Sequence, residues 1–322
     1  MIALAYLFAF LKNVIYGTSV FFVSELTEKV DVLDVLALRF LISFFVFWIL
    51  KSFKILKINV GIKDVFKKNE KSVYVRSLIL TAFFEPVLYM FFETIGIANT
   101  TNITAAVVLS LAPVSTCICE RVFLKEKATL MQYFLLAMGM VGVIYITLKT
   151  KTGTGEDSLF GILCLIGAMV SGSMFLVFSR KSSKCFNAME VTYFSAMLGM
   201  VAFNGVNVVR HILRGDILSY FTPYFDMDNI IGFIYLSIIC TIVATALNNF
   251  SVSKAKISSL SAFGGVSMLT TITVGVIFGG EKLYMYHIIG ITLILIRMFG
   301  VSYLSIREEN KQKAVAKNDN KQ

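Results

Sequence analysis

The 322-residue sequence has few of the residues from which catalytic and metal sites are built, with two histidines, five cysteines and one tryptophan. His211 and His287 are far apart in the chain, and no further cysteine or histidine group completes a zinc site around the C-x-C pair of Cys117 and Cys119. The cysteines lack the spacing of a disulfide framework, and the sequence has no G-x-x-x-x-G-K-[ST] phosphate loop. We therefore predict that the chain is not an enzyme, holds no metal or other cofactor, and does not pump with ATP on its own.

Charged residues are also scarce, at 16% of the chain, whereas 57% of the residues are hydrophobic. The hydrophobic residues occur in blocks of about 20, the length at which a helix spans a bilayer. Ten blocks are present, at about 2–24, 33–50, 73–93, 101–119, 129–148, 159–179, 189–209, 230–250, 257–279 and 285–305. A large soluble helical protein would need charged faces on its helices, and these blocks have none. The sequence therefore predicts an all-α integral membrane protein with ten transmembrane helices.

The net charge of +10 is spread unevenly over the segments between the blocks. If the N-terminus is cytoplasmic, the cytoplasmic segments and the tail carry 21 Lys and Arg residues, and the outside segments carry six. This asymmetry follows the positive-inside rule, so it indicates membrane topology and argues against nucleic acid as a partner. We predict a multi-pass protein of the cell membrane (plasma or inner) with both termini cytoplasmic and with the basic segment 51–71 near anionic lipid.

The sequence overlays itself without a gap when it is shifted by 155 residues. The segment Tyr16–Ser19 then falls on Ser171–Met174, and the hydrophobic blocks coincide. A unit of five helices crosses the membrane an odd number of times, so the second unit enters from the opposite side, as in the inverted repeats of secondary transporters. We predict three segments: a first five-helix repeat at 1–150, an inverted second repeat at 156–306 and a disordered cytoplasmic tail at 307–322.

Several short motifs within this pattern are similar to those of one family of carriers. They are Tyr16-Gly17-Thr18-Ser19 in the first helix, Leu38-Arg39-Phe40 in the second, Ala112-Pro113 in the fourth, Phe123-Leu124-Lys125-Glu126 before the fifth, and Phe278-Gly279-Gly280-Glu281 in the second half. Together with the helix count and the repeat, they make residues 1–305 resemble the EamA family of ten-helix carriers in the drug/metabolite transporter superfamily. Met268 and Arg297 depart from the family pattern, where a proline and a late glycine are usual. The resemblance implies export or exchange of small organic solutes.

Three charged residues lie deep within the hydrophobic blocks, where charges are rare and costly. With a rise of about 1.5 Å per residue, Lys12, Arg39 and Glu85 fall at similar depths near the middle of the membrane. Glu85 either forms a permanent ion pair with one of the two cations, or it binds a solute cation or a coupling proton. Its partner at the 155-residue shift is Cys240, so the repeated frame does not require a charge there, which favours a functional role. For Arg39, the resemblance to a frequent arginine position of the family favours a structural role.

Further candidates lie on the same helix faces as these charges. Two sets have the i, i+4, i+7 spacing that shares one face: Glu85, Tyr89 and Phe92, and Lys12, Tyr16 and Ser19. Tyr16 and Tyr89 either contact the solute or serve only in packing. Asn248, near the end of the eighth block, either gates the pathway or bonds between helices.

Prolines, glycines and two acidic residues shape the predicted helices. Pro86 and Pro113 each remove a backbone hydrogen bond and bend the third and fourth helices, and the bends either turn a carbonyl toward the site or only shape the packing. Gly17 and Gly172 allow close helix approach, which is packing alone or also the surface on which the halves rock. We expect Glu126 and Glu281 either to shape the fold by capping helix N-termini, where a negative charge is favoured, or to contact the solute directly.

The sequence thus predicts a secondary transporter that moves a small organic solute (an amino acid, another metabolite or a drug) across the cell membrane by alternating access. The solute site is expected near the bilayer midplane, where such carriers usually bind. Its predicted partners are the solute, the lipid bilayer and protons as the coupling ion. The alternatives are a channel, which shows little saturation or exchange, and a membrane scaffold, which shows no flux.

Overall fold

The structure is a computed structural model that defines residues 2–53, 72–124, 158–255 and 263–293, with single positions at 131, 134, 135, 137, 138, 141, 145, 260, 295, 296, 299, 300 and 303. Several predictions fall outside these residues: those on the tail 307–322, on most of the basic segment 51–71, on most of the fifth block, on Glu126 and on Arg297. They stay predictions.

The regular elements of the described residues are all helices. The α-helices of eight residues or more are α1 (Ile2–Lys29), α2 (Val32–Ser52), α3 (Ser72–Ala82), α4 (Tyr89–Ala98), α5 (Asn102–Leu109), α6 (Ala112–Cys119), α7 (Leu159–Ser182), α8 (Ala188–Arg214), α9 (Met227–Ile234), α10 (Thr245–Lys254) and α11 (Gly264–Ile277). Wider π-helical turns occur at Phe83–Leu88, Glu120–Leu124 and Tyr235–Ala244. Short turns of helix at Ile217–Ser219 and Thr222–Phe225 connect α8 to α9, and residues 285–293 are helical.

Seven helical stretches of the described chain are long and apolar enough to cross a membrane. They are Leu4–Lys29, Val32–Ser52, Tyr74–Ala98, Asn102–Phe123, Leu159–Ser182, Ala188–Arg214 and Met227–Lys254. Helix α11 is apolar but has 14 residues. The predicted all-α class is confirmed for the described residues. The count of ten helices and the inverted arrangement stay predictions, because most of the fifth block and parts of the ninth and tenth lie outside the described residues.

The long helix α8 shows how local sequence sets the helix ends. Asn187 accepts a hydrogen bond from the backbone N–H of Glu190 at 2.8 Å, and the Glu190 carboxylate accepts one from the N–H of Asn187 at 2.9 Å. This reciprocal capping box satisfies two N–H groups that the first turn leaves open. The helix ends at Gly215, whose φ of 74° is the left-handed conformation that glycine adopts without a steric penalty.

Small residues allow the first and ninth predicted helices to touch at the backbone. A Cβ atom on Gly17 would lie 2.5 Å from the carbonyl oxygen of Ser267 and 2.6 Å from Cβ of Thr270. The hydroxyl of Thr271 donates to the carbonyl of Gly17 at 2.8 Å, so α1 and α11 are joined by a hydrogen bond at the same point. Glycine and hydroxyl residues bring helices together in this way where water is absent.

Amide and hydroxyl groups also join α7, α8 and α10 inside the bundle. Ser179 donates to the Asn249 side-chain oxygen at 2.8 Å, and the Asn249 amide donates to the Thr192 hydroxyl at 2.9 Å. All three side chains are buried, so each needs a partner within the protein. This network holds the helices that surround the central cavity described next.

Candidate functional site

The structure brings the predicted membrane charges together around one central cavity of about 180 Å³. The predicted site residues that line it are Lys12, Tyr16, Arg39, Glu85, Tyr89, Gly172 and Asn248. They come from α1, α2, the turn at Phe83–Leu88, α4, α7 and α10. The cavity therefore collects residues that are more than 200 positions apart in the sequence, and their role in binding stays a prediction that the geometry permits.

Glu85 reaches this cavity because the backbone leaves the helix at its position. Pro86 has no N–H to donate, and a proline pushes the residue before it toward an extended conformation. Glu85 has φ −140° and ψ 114° inside the turn Phe83–Leu88, and the Glu85–Pro86 peptide bond is cis. The side chain is 7% exposed and lines the cavity. Helix α4 then restarts at Tyr89, so the predicted bend of this helix lies at the acidic residue itself.

The cations near Glu85 do not touch it. Among the described residues, no direct ion pair joins Glu85 to Lys12 or Arg39, although both act on it electrostatically. Lys12 has its Nζ 5.4 Å from the ring centroid of Tyr16, within the range of a cation–π interaction. The described residues thus do not show the permanent direct ion pair that was one alternative for Glu85.

Glu93 is a second cavity carboxylate that the sequence reasoning missed. It is 9% exposed, lines the cavity, and accepts a hydrogen bond of 2.6 Å from the hydroxyl of Tyr89. Phe92, which has the i, i+7 spacing from Glu85, is not among the described residues that line the cavity, and its ring lies beside Gly167. The turn before Tyr89 resets the helical phase, so the residue four positions after Tyr89 faces the cavity. The i, i+4 spacing of Tyr89 and Glu93 was the feature of the sequence that could have indicated Glu93 as a cavity residue.

Arg39 and Tyr16 are held by the second distorted segment, Tyr235–Ala244, and by the residue that follows it. The Arg39 Nε donates to the hydroxyl of Thr241 at 2.8 Å, and the hydroxyls of Tyr16 and Thr245 lie 3.2 Å apart. Thr241 in turn donates to the carbonyl of Leu236 at 2.8 Å. The donation to a carbonyl five residues back matches the wide turn of this segment.

The two distorted segments occupy equivalent places in the sequence repeat. Adding 155 to 83–88 gives 238–243, which lies within Tyr235–Ala244. Glu85 then corresponds to Cys240, and Pro86 corresponds to Thr241. The second segment has the same wide turn without a proline, so the distortion belongs to both halves although its local cause differs. Single π-turns of this kind often occur at functional sites.

Among the described residues, the four charged side chains that line the cavity all come from the first half of the chain. Lys12 and Arg39 supply two cations, and Glu85 and Glu93 supply two carboxylates. The lining residues of the second half are neutral: Met169, Gly172, Ser173, Phe175, Leu176, Asn248, Leu260, Gly264, Ser267, Met268 and Thr271. These four charges balance when all are ionised, and the rest of the described lining mixes hydroxyl, amide and apolar side chains.

The remaining predicted residues separate into cavity and packing positions. Asn248 lines the cavity, whereas its neighbour Asn249 bonds between helices. Gly172 lies beside the ring of Tyr89, since a Cβ there would be 3.1 Å from Tyr89 Cδ2. Gly17, the repeat counterpart of Gly172, is a packing position.

The fourth predicted helix is interrupted next to Pro113. Helix α5 ends at Leu109, and α6 begins at Ala112, one residue before the proline. Proline is well tolerated in the first turn of a helix because its missing N–H would have no partner there. The break turns Leu109, Ser110 and Ala112 toward the cavity.

His211 belongs to a buried polar cluster away from the cavity. Asp34 Oδ1 accepts hydrogen bonds of 2.8 Å from His211 Nε2 and from Asn207, and Asp34 Oδ2 accepts one of 2.7 Å from Arg210. The other ring nitrogen of His211 lies 2.9 Å from an oxygen of Asp216. In the described part of the chain, no group of three or more His, Cys, Asp and Glu residues is arranged to hold a metal. The cluster joins α2 to α8.

Glu281 connects the two halves by capping α5. One carboxylate oxygen accepts hydrogen bonds from the Asn102 backbone N–H at 2.8 Å and the Asn102 side chain at 2.5 Å, and the other accepts from the Ile103 N–H at 3.0 Å. This agrees with the expected capping role, because a negative charge is favoured at a helix N-terminus.

We expect Glu281→Gln to lower the stability of the folded protein by about 1–3 kcal/mol, because an amide offers a single neutral acceptor in place of two charged oxygens. The measurement is thermal unfolding of the purified protein in detergent. Glu28→Gln is the matched control, since Glu28 is exposed at the end of α1. Equal melting temperatures for the two variants would contradict the prediction that Glu281 stabilises the protein by capping α5.

Comparisons with known proteins bear on the family and the fold of the chain. The model of the EamA-like transporter family matches residues 3–148 and 159–303. The chain is 27% identical over 308 residues to "Uncharacterized transporter YcxC" of Bacillus subtilis (strain 168), covering 96% of this chain and 95% of the relative. It is 21% identical over 212 residues to "Uncharacterized transporter YoaV" of the same organism, covering 64% and 72%. A solved structure described only as "Crystal structure of protein" has the same fold, with a TM-score of 0.63, 18% identity, and coverage of 95% of this chain and 98% of that one.

Proposed function

The chain belongs to the EamA-like transporter family, and from this premise we propose that it is a secondary transporter that carries a small organic solute across the cell membrane by alternating access, as an exporter or exchanger. It is a multi-pass membrane transporter by family and by its apolar helices. The observation that supports solute transport by alternating access is the central cavity. Two cations, two carboxylates and two tyrosines line it, together with residues of both halves of the chain.

The cavity chemistry supports a solute that combines a charged group with an apolar part. Lys12 and Arg39 can attract an anionic group, whereas Glu85 and Glu93 can hold a cationic group or a proton. The ring of Tyr89 lies beside Gly172, where it offers an apolar face. We propose amino acids, similar metabolites or drugs as solutes, and a proton as the coupling ion at Glu85.

The repeated features of the two halves support alternating access. The family model matches the chain twice, and the wide helical turns at Phe83–Leu88 and Tyr235–Ala244 occupy equivalent positions. In carriers with inverted repeats, two similar halves of opposite orientation exchange conformations and expose one central site to each side in turn. We propose that this chain has ten transmembrane helices in two inverted repeats of five, at 1–150 and 156–306, with both termini cytoplasmic.

Flux measurements in proteoliposomes test this proposal. Vesicles are loaded with a mixed pool of amino acids, nucleosides and cationic drugs, and release is measured by mass spectrometry with and without a pH gradient. We expect saturable release of one solute class that external solute of that class accelerates by exchange. Protein-free vesicles give the background.

Two other results would favour the alternatives. Release that rises linearly with concentration and shows no exchange would indicate a channel. No release above the background from any class, by protein shown to be folded and inserted, would favour a scaffold.

A further inference from the structure

Thr241 links the distorted segment of the second half to a charge of the first half. Its hydroxyl oxygen accepts a hydrogen bond from Arg39 Nε at 2.8 Å, while its hydroxyl proton is donated to the carbonyl of Leu236 at 2.8 Å. A threonine side chain is β-branched and has few rotamers. With its hydrogen donated and its oxygen accepting, the hydroxyl has one orientation, and it presents its lone pair to Arg39.

Two contacts of the Arg39 guanidinium stand out among the described residues: the hydrogen bond to Thr241 and the ring of Phe40, whose centroid lies 5.9 Å from the guanidinium carbon. The Arg39 side chain is 2% exposed, and among the described residues its one hydrogen bond is the bond to Thr241. None of the ion pairs in that part of the chain includes Arg39. A buried guanidinium with five donors and no carboxylate partner is free to move toward one unless another group holds it.

The position of Arg39 matters because it lines the same cavity as both buried carboxylates, Glu85 and Glu93. A nearby cation stabilises the ionised form of a carboxyl group, and the effect falls with distance. Other titratable groups also face the pair: Lys12 and Tyr16 from α1, Tyr89 from α4, and Cys240 from the second distorted segment. Lys12 lies on α1 and would not move with Thr241.

We propose that Thr241 is a positioning residue: it fixes the Arg39 guanidinium at the place from which its charge controls the protonation of Glu85 and Glu93. The repeat explains why this residue has the role. At the position where the first half has Pro86, which opens the helix beside Glu85, the second half has Thr241, which holds the opposing charge. Through this role Thr241 would influence the pH at which the carboxylates release a coupling proton. The inference therefore rests on the proposed function for its biological meaning.

Infrared spectroscopy of the purified full-length protein tests the proposal, with the proton as the probe. The protonated carboxyl stretch is followed from about pH 5 to pH 10, a range that includes strongly shifted buried acids, and Glu85→Gln and Glu93→Gln assign the band. Thr241→Val removes the hydroxyl and keeps the side-chain shape. We expect the midpoint of the titration to move to higher pH by about one unit, a ten-fold change in proton affinity, as the Arg39 charge moves away.

Matched variants separate positioning from a general effect on the helix. Thr241→Ser keeps the hydroxyl and should keep the wild-type midpoint. Ser237→Ala removes a buried hydroxyl of the same segment that has no hydrogen-bond partner among the described residues, and it should also keep the wild-type midpoint. In an Arg39→Gln background, Thr241→Val should add no further shift. Thr241→Ala gives a second hydroxyl-free variant if the valine protein does not insert.

Several results would overturn the proposal. They are an unchanged midpoint in folded Thr241→Val, equal shifts in Thr241→Val and Ser237→Ala, a full shift that persists without Arg39, or no titrating carboxyl band in either wild type or variant. Because the readout needs no solute and no flux, it stays separate from the transport experiment. A positive titration with no transport would reject the proposed function alone.

Discussion

Replacing Glu85 with glutamine should reduce saturable flux about ten-fold or more and flatten its dependence on pH. Glutamine has nearly the same shape as glutamate, so the cavity keeps its size, but the amide neither attracts a cation strongly nor binds a coupling proton. A charged hydrogen bond is worth about 1.5–3 kcal/mol, and 1.4 kcal/mol corresponds to a ten-fold change in affinity. The measurement is the initial rate in proteoliposomes over a series of external pH values.

The control for this experiment is Glu28→Gln, which removes an exposed carboxylate far from the cavity. It should behave as wild type in both rate and pH profile. If folded Glu85→Gln protein also keeps the wild-type rate and profile, Glu85 is a structural residue and the coupling site must be sought elsewhere, with Glu93 as the next residue to replace.

Gly17→Ala should destabilise the protein by about 1–3 kcal/mol or more and abolish most flux. The added Cβ would meet the Ser267 carbonyl oxygen at 2.5 Å and Thr270 Cβ at 2.6 Å, and a backbone oxygen cannot move aside as a flexible side chain can. Overpacking of this kind forces helices apart, and it would also break the hydrogen bond from Thr271 to the Gly17 carbonyl. Thermal unfolding in detergent and flux in proteoliposomes are the two measurements.

Gly205 provides the matched substitution, because a Cβ there meets no atom within 4 Å. Gly205→Ala lies in the exposed middle of α8, where alanine favours the helix over glycine. It should leave the melting temperature unchanged or slightly raised and the flux unaltered. A Gly17→Ala protein as stable and as active as Gly205→Ala would show that α1 and α11 do not need backbone contact.

The charged part of the candidate site could be predicted from the sequence because charges stand out in apolar helices. Lys12, Arg39 and Glu85 were identifiable by their depth, and Tyr16 and Tyr89 by their spacing from them. Glu93 was missed since the apolar block ends at that residue, where a charge is usually at the membrane surface. In the structure, α4 continues to Ala98, so Glu93 lies inside the helix.

Contacts between distant residues could not be predicted in the same way. Thr241 is an unremarkable residue in a membrane helix, and its partner Arg39 lies 202 positions away. The segment Tyr235–Ala244 contains no proline that would indicate a wide turn. In the sequence, only its correspondence to residues 83–88 of the first half indicates one. The bond between Glu281 and α5 likewise depends on how two distant segments pack, although the expected capping role required only a nearby helix N-terminus.

The location of the cavity charges, which among the described residues all lie in the first half, has an evolutionary consequence. The family model matches both halves of the chain, but the described residues of the second half line the cavity with neutral side chains such as Met169, Ser173 and Met268. Mutations there can alter the size and shape of the accepted molecule without disturbing the charge balance. Among relatives of this chain, new selectivities should therefore accumulate in the second half, while the ionic chemistry is inherited through the first.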